Sequence, residues 1–357
     1  LACYRLGNLF DNNSKRKGAS MPTPKIQKNI EIVRTTNKRL SSLSLVSAEA
    51  ICATLRKYYD NVNIFTVDDL GDLVVLGEKK PDLVFMGMGY IPGSKPGEKV
   101  WLATYLEEHG IAHTGSSQAS LEYERNKAFA KQRVQDAGLK TSNFFVIKNG
   151  IPYLDTSMLL KFPLFLKPTS LGGGAGIDTT SVVHNYADLR SRSNNLALSY
   201  SSDSLVEEYL PGREFSVAII QDLATHELIA MPLELVTEAN HHGDRILSRE
   251  VKAGNQEKVL VVTDQLIKSK ISNLAVKVFV ALGASSYGRI DIRLDAFGVP
   301  HFLEANLLPS LIEHYGNFPK ACMLNIGLGY DDMLLHIIKL AQTADAPLTI
   351  NQAVTAR

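Results

Sequence analysis

Cysteine is scarce in this chain of 357 residues: three in all, Cys3, Cys52 and Cys322, none in a C-x-x-C pair. So sparse and odd a count excludes a disulfide scaffold and a zinc ribbon, and it points to a reducing cytoplasm. Long hydrophobic runs are lacking too. The most apolar stretches, such as Leu83–Gly87 and Val259–Val262, break well short of the ~18 residues a transmembrane helix needs, so no membrane partner is expected. Charge of one sign is missing: 38 Lys+Arg face 37 Asp+Glu, a formal charge of +1. That balance offers no bulk field to nucleic acid, and any phosphate must be held by a built pocket. Tryptophan occurs once, and Trp101 with the aromatics around Tyr105 fits helix packing better than a base-stacking platform. What is present is 45% hydrophobic and 21% charged, the make-up of a folded soluble protein, at a length that suggests two to three domains.

Residues 1–29 carry Asn12-Asn13-Ser14-Lys15-Arg16-Lys17-Gly18 and no periodic apolar pattern, so they read as a disordered tail, with Met21 as a natural start. Over 30–115, strands at Ile30–Arg34, Asn63–Val67 and Leu83–Met86 alternate with helices at Leu43–Tyr58 and Val100–Leu106, which predicts a parallel sheet. Residues 116–205 read as a small α+β unit: a helix over Asn126–Ala137 closed by Gly138, strands at Phe144–Ile147 and Pro163–Lys167, and a helix from Tyr186. Over 206–342 strands dominate around a long helix, Asp264–Leu282, and 343–357 reads as a tail. Thr237–Glu257 is a polar stretch of a length that is usually functional inside a compact domain.

Three groups carry chemistry. Gly172–Gly176 follows a strand ending in Lys167-Pro168 and can aim backbone N–H groups at phosphate oxygens, although in isolation a glycine-rich hairpin turn is the better reading. It fits neither G-x-x-x-x-G-K-[ST] nor G-x-G-x-x-G. Arg289-Ile290-Asp291 and Leu303-Glu304-Ala305-Asn306 sit in two strands joined by a tight turn. Antiparallel pairing brings Asp291 to Glu304 and Asn306, with Ile292, Leu294 and Leu303 on the apolar face. Two carboxylates and an amide oxygen suit Mg²⁺, against the alternative of a solvated strand face. Arg289 beside them suits a phosphate clamp. Val206-Glu207-Glu208-Tyr209-Leu210, at the end of an apolar strand, can meet an amine and a ribose.

In this order, these segments resemble the D-alanine–D-alanine ligases of the ATP-grasp superfamily. The match runs through His113-Thr114-Gly115-Ser116, Asn126-Lys127, Phe162–Pro168 with Gly172–Gly176, Val206–Phe215 and Gly288–Pro309, and covers about residues 30–342. The resemblance implies an α/β and α+β chain of three domains: an N-terminal parallel-sheet domain (30–115), a central ATP-grasp lid (116–205) and a C-terminal metal-binding subdomain (206–342). By position, Lys127, Lys167, Gly173 and Gly174 would hold ATP phosphates. Glu207 and the backbone of Leu210 would read adenine, and Glu214 would bind ribose. Asp291, Glu304 and Asn306 would hold two Mg²⁺ ions, with Mn²⁺ as a substitute. Arg289 and the Ser310 N–H would stabilise an oxyanion, and Lys252 would contact the γ-phosphate. The implied enzyme is a cytoplasmic homodimer that joins a small carboxylate to a small amine through an acyl phosphate.

The amino-acid pocket departs from the family pattern. The usual His-Glu-Val-Ser reads Ser41-Ser42-Leu43-Ser44, which replaces the ammonium-binding Glu by Ser42. A loop serine is Gly173, a tyrosine after the loop lysine is Ala253, and a carboxylate-binding serine is Tyr315. Glu98 matches an acidic position, and His314 either touches substrate or caps a helix. The expectation is a ligase whose substrate is not simply D-alanine. The alternatives are an ordinary D-alanine–D-alanine ligase, with Glu98 or Arg249-Glu250 replacing the lost network, and a non-catalytic nucleotide-binding regulator.

Overall fold

A computed structural model describes residues 24–149, 160–240, 242–248, 250–251, 254 and 257–343. The chain starts with β1 (Ile26–Arg34), α1 (Leu45–Leu55), β2 (Tyr59–Thr66), α2 (Leu70–Glu78) and β3 (Leu83–Met86). These strands form a parallel sheet in the order β2-β1-β3, as the alternation of strands and helices predicts. Leu83, Val84, Phe85 and Met86 are all buried, as a parallel strand covered on both faces requires. Helix α2 is not anticipated by the pattern. Gly71 and Gly77 weaken its propensity, yet a capping box between Asp69 and Asp72 starts it. A Cβ at Gly77 would stand 2.5 Å from the Tyr105 hydroxyl, so a larger residue there would displace that side chain. The glycine- and proline-rich stretch after Gly87 holds a short hairpin, β4 (Tyr90–Pro92) with β5 (Lys99–Trp101), and leads into α3 (Leu102–Glu108) and α4 (Gln118–Arg125).

Next come α5 (Lys127–Asp136), β6 (Phe144–Ile147), β7 (Leu164–Pro168), β8 (Val182–Val183), α6 (Tyr186–Tyr200) and β9 (Ser204–Glu208). The four strands form one antiparallel sheet in the order β6-β9-β7-β8. β9 therefore lies inside this central sheet, and the change of sheet falls after Glu208 rather than at 205. The start of the expected 116–205 block also packs elsewhere: Leu121, Ala130 and Val134 join the large core of the molecule. The central sheet has a small core of its own, with Leu164, Leu166, Leu189, Leu196 and Val206.

The last part holds β10 (Glu214–Gln221), β11 (Leu228–Val236), β12 (Lys258–Val261), α7 (Gln265–Ala281), β13 (Tyr287–Leu294), β14 (Pro300–Asn306), α8 (Asn317–Ile326) and α9 (Tyr330–Gln342). Its sheet is antiparallel in the order β12-β11-β10-β13-β14. One face, with Val217, Ile219, Ile290 and Ile292, packs on α7. The other, with Ala218, Ile220, Met231 and Leu233, shares a core with α8, α9 and the N-terminal sheet. β13 makes the site possible. Tyr287 is buried at its start, and two, four and six residues on, the same face carries Arg289, Asp291 and Arg293. One strand face is thus core at one end and cleft at the other.

Phe318 on α8 is fully buried and meets Tyr287 edge-on at 5.6 Å between ring centroids. Phe318→Ala is expected to destabilise the fold by about 3–5 kcal/mol. Urea unfolding of the purified protein checks this, and a loss below about 1 kcal/mol contradicts the shared core.

Candidate active site

β13 and β14 pair with Asp291 opposite Glu304 and Arg289 opposite Asn306. Asp291 is a hub. Its Oδ1 accepts from the Ser216 hydroxyl at 2.8 Å and from Arg289 Nε at 3.0 Å. Its Oδ2 accepts from the Arg289 guanidinium at 2.9 Å and the Asn306 amide at 3.1 Å. Burial works against the Arg289 charge, but Asp291 outweighs it and holds the guanidinium above its ordinary range. The register shifts between Asp291 and Ile292, whose partner is Phe302, so Leu303 is the extra residue of a β-bulge. The bulge corrects one expectation. Leu303 does not share the apolar face with Ile292 and Leu294; it lines the cleft beside Glu304, and Phe302 takes the core position.

At one end of the cleft stands a charge cluster that the sequence reading only half contains. Glu207 Oε1 lies 2.7 Å from Lys167 Nζ, and its Oε2 lies 2.7 Å from Lys131 Nζ. Burial pushes the Glu207 carboxyl up, but the two ammonium groups outweigh it and hold it at about 2. Burial also drives Lys131 down to about 8 against the pull of Glu207. Lys131 was visible only as the residue four after Lys127, which puts both on one face of α5. Glu207, Leu210, Glu214 and Lys167 line this end together with Phe165, Ile177, Leu247 and Leu303. Glu214 is held by Arg293 at 3.0 Å, and Arg293 also reaches the Tyr209 hydroxyl at 3.0 Å.

The middle is covered by the glycine loop. Gly173, Gly174 and Gly176 all have positive φ, and a Cβ on Gly176 would stand 2.6 Å from Pro168. The loop is tied down from both sides: Lys127 Nζ donates to Leu171 O at 2.5 Å, and Arg192 donates to Gly176 O at 2.6 Å. Lys127 also stands 3.7 Å from Glu304. Beyond lies a cavity of about 700 Å³, walled by Ser42, Gly173, Arg289, Asp291, Glu304, Asn306, Ser310 and Tyr315. The Ser310 hydroxyl oxygen is buried without a hydrogen-bond partner among the described residues. Glu124, which no motif marked, also lines this cavity and accepts from the backbone N–H groups of Leu307 and Leu308 at 2.6 and 3.0 Å.

Several expected residues are not brought there. Glu98 is exposed in the turn after β4, accepts from Lys95 N and does not line the cavity. His314 has a side chain 90% exposed, beside Glu313, and lines neither end of the cleft. Gly174 is buried within the loop. Arg249, Lys252 and Ala253 lie outside the described residues. Among the described residues no three His, Cys, Asp or Glu side chains converge on a metal position. The donor set at Asp291 is two carboxylates and one amide, hard oxygen ligands of the kind Mg²⁺ takes with water completing its shell.

The Glu207 carboxyl titrates near 4.5 when unfolded and about 2 when folded. The stability it contributes is therefore complete above about pH 4.5 and is lost as pH falls toward 2. Glu207→Gln should be less stable at pH 7, where two buried ammonium groups lose their anion, and should lose less on going to pH 3. Unfolding curves at the two pH values check this; equal losses in both proteins overturn the assignment.

The family model for the D-ala D-ala ligase C-terminus matches residues 134–339. An uncharacterized protein of Sinorhizobium fredii, y4sG, is 30% identical over 240 residues, 66% of this chain and 68% of its own. A D-alanine–D-alanine ligase of Vesicomyosocius okutanii is 27% identical over 312 residues, 87% of this chain and 99% of the ligase. Among solved structures, D-alanine–D-alanine ligase from Bacillus anthracis complexed with ATP superposes with a TM-score of 0.70 at 20% identity, covering 89% of this chain and 98% of that one. VanG D-Ala:D-Ser ligase from Enterococcus faecalis gives 0.62 at 21% identity, over 88% and 100%. At such identities the two structures establish the fold, and the family model with the sequence relatives establishes the kinship. The chain belongs to the D-alanine–D-alanine ligase family, the ATP-grasp ligases that form C–N bonds.

Proposed function

We propose that the protein is an ATP-dependent carboxylate–amine ligase that works through an acyl phosphate and whose substrate is not simply D-alanine. One observation carries the reading. Three differently charged regions follow one another along one cleft: Glu207 and Lys167 at the first end, Arg289 with Asp291, Glu304 and Asn306 in the middle, and Ser42 and Tyr315 at the far end. That the B. anthracis ligase structure holds ATP supports a nucleotide ligand, and the charged first part of the cleft suits it. There Glu207 and the Leu210 backbone would meet adenine, Glu214 ribose, and Lys127 and Lys167 the phosphates. Asp291, Glu304 and Asn306 would hold Mg²⁺, which supplies charge neutralisation across the phosphate oxygens when bound.

The chain's own groups then act by position and charge. The donor carboxylate is held facing the γ-phosphate, attacks it and displaces ADP. The second substrate's amine attacks the acyl phosphate carbon, phosphate leaves, and the amine gives up a proton. Arg289 and the Ser310 N–H oppose the negative charge that gathers on the carbonyl oxygen in that step. No nucleophilic side chain is needed.

The far end favours a substrate other than D-alanine. The Ser42 hydroxyl is spent on Gly87 O at 3.0 Å, and Lys38, Arg39 and Arg125 line the same edge. The nearby Glu124 has one oxygen committed to two backbone N–H groups. A donor ammonium placed beside Ser42 would meet these cations and miss the carboxylate that the family pattern puts at that position, an uncompensated charge that costs on the order of several kcal/mol. A second reading, an ordinary D-alanine–D-alanine ligase, draws support from Glu257, which lines the same cavity with a buried Oε2 that has no hydrogen-bond partner among the described residues.

Measuring ADP release over D- and L-amino acids, dipeptides and small carboxylates, with products identified by mass, separates the two. D-alanyl-D-alanine as the preferred product sinks the first reading and supports the second. ATP that binds yet is consumed with no substrate pair would falsify both and leave a binding protein. With the active pair in hand, Arg289→Met should lower turnover by about 100-fold or more with a smaller change in ATP affinity.

A further inference from the structure

Lys131 is fully buried on α5, one turn beyond Lys127, in a setting that does not favour an ammonium group. Its Nζ lies 2.7 Å from Glu207 Oε2, 2.7 Å from the Thr141 hydroxyl, 2.9 Å from the Ser142 hydroxyl and 3.3 Å from Phe302 O. Ser142 donates to the same Glu207 oxygen at 2.9 Å. Thr141 donates to Phe302 O at 2.8 Å. One ammonium thus joins α5, the segment before β6, the carboxylate on β9 and the carbonyl beside the β14 bulge. As a source of stability this is a poor device, because apolar side chains of like volume generally hold such a site as well or better.

Its effect on Glu207 is more specific. A carboxylate has about four acceptor positions. Lys131 and Ser142 take two at Oε2 and Lys167 takes one at Oε1, so the group can neither rotate nor exchange its oxygens. The acceptor position left over belongs to a side chain that lines this end of the cleft beside Phe165, Ile177 and Leu303.

We propose that Lys131 is a positioning residue that fixes the Glu207 carboxylate as a single aimed acceptor, and so sets the preference for a 6-amino over a 6-oxo purine nucleotide. The inference rests on the reading of this end as the nucleotide pocket. A 6-amino group donates to the fixed acceptor. A 6-oxo group turns a lone pair toward a carboxylate that cannot move away, and the misfit leaves buried polar atoms unpaired. Without Lys131 only the neutral Ser142 hydroxyl holds Oε2, the carboxylate is less firmly aimed, and the distinction between the two bases fades.

The test is the affinity of the full chain for ATP and for inosine triphosphate, by titration calorimetry without amino acids, in wild type, Lys131→Met and Ser142→Ala. The ratio of the two affinities is expected to shrink about tenfold in Lys131→Met, chiefly through weaker ATP binding, and about threefold in Ser142→Ala. A merely structural lysine would weaken both nucleotides alike, so an unchanged ratio overturns the proposal. If Lys131→Met does not fold, Ser142→Ala decides by the same ratio. Wild type that binds neither nucleotide removes the nucleotide reading and the proposal together. Wild type that prefers ATP, with variants that prefer it equally, removes the proposal alone.

Discussion

Three formal charges share a dry volume between the central sheet and β14, and their arrangement leaves little freedom to anything around them. Glu207 lies between Lys131 and Lys167 with both contacts at 2.7 Å. Taking any one of these ions out of water alone costs several kcal/mol, so all three must be present and correctly placed at once. Meeting that condition orders β9, β7, α5 and the Thr141–Ser142 segment relative to one another. The Glu207 end of the cleft is therefore ordered by paired polar groups rather than by apolar packing.

The Arg289 and Asp291 part of the cleft obeys a different constraint, the two-residue period of β13. Tyr287 is locked into the core shared with α8, and alternation then dictates where Arg289 and Asp291 point. Helix α5 links the two ends, because Lys127 and Lys131 are four apart and face the same way. A nucleotide stretched between base and phosphate would be gauged against one helix turn and one strand face, both anchored in buried aliphatic packing. The accuracy of the site comes from the regular elements and not from its loops.

Much of this was legible in the chain. Leu83–Met86 declared itself through four consecutive apolar residues, and the helix read over Asn126–Ala137 runs from Lys127 to Asp136, with the Asn126 side chain capping Phe129 N. The facing of Asp291 and Glu304 followed from antiparallel alternation. Other features could not be read because their cause is tertiary. Glycines at 71 and 77 hid α2, whose second glycine lies against the Tyr105 hydroxyl. β9 looked like the opening of a new domain, since nothing local tells a strand which sheet it joins. Lys131 resembled any surface lysine, and only the fold shows it in the interior. Glu124 serves by accepting backbone N–H groups from residues more than 180 positions away, a relation with no sequence signature.

The bulge at Leu303 bears on how such a site can change over generations. A strand keeps parity: odd and even positions never trade faces. The extra residue in β14 alters that parity once, so that Phe302 is core while both Leu303 and Glu304 belong to the cleft. Substitutions at these positions can retune the pocket one property at a time. A one-residue insertion or deletion between Pro300 and Asn306 would instead reverse which side chains are wet and which are dry, removing the acids and exposing the core in one step. The turn at Asp295–Gly298 lies outside that rule and can vary in length. Chemical variety in this part of the molecule is thus open to exchange of letters and closed to changes of count.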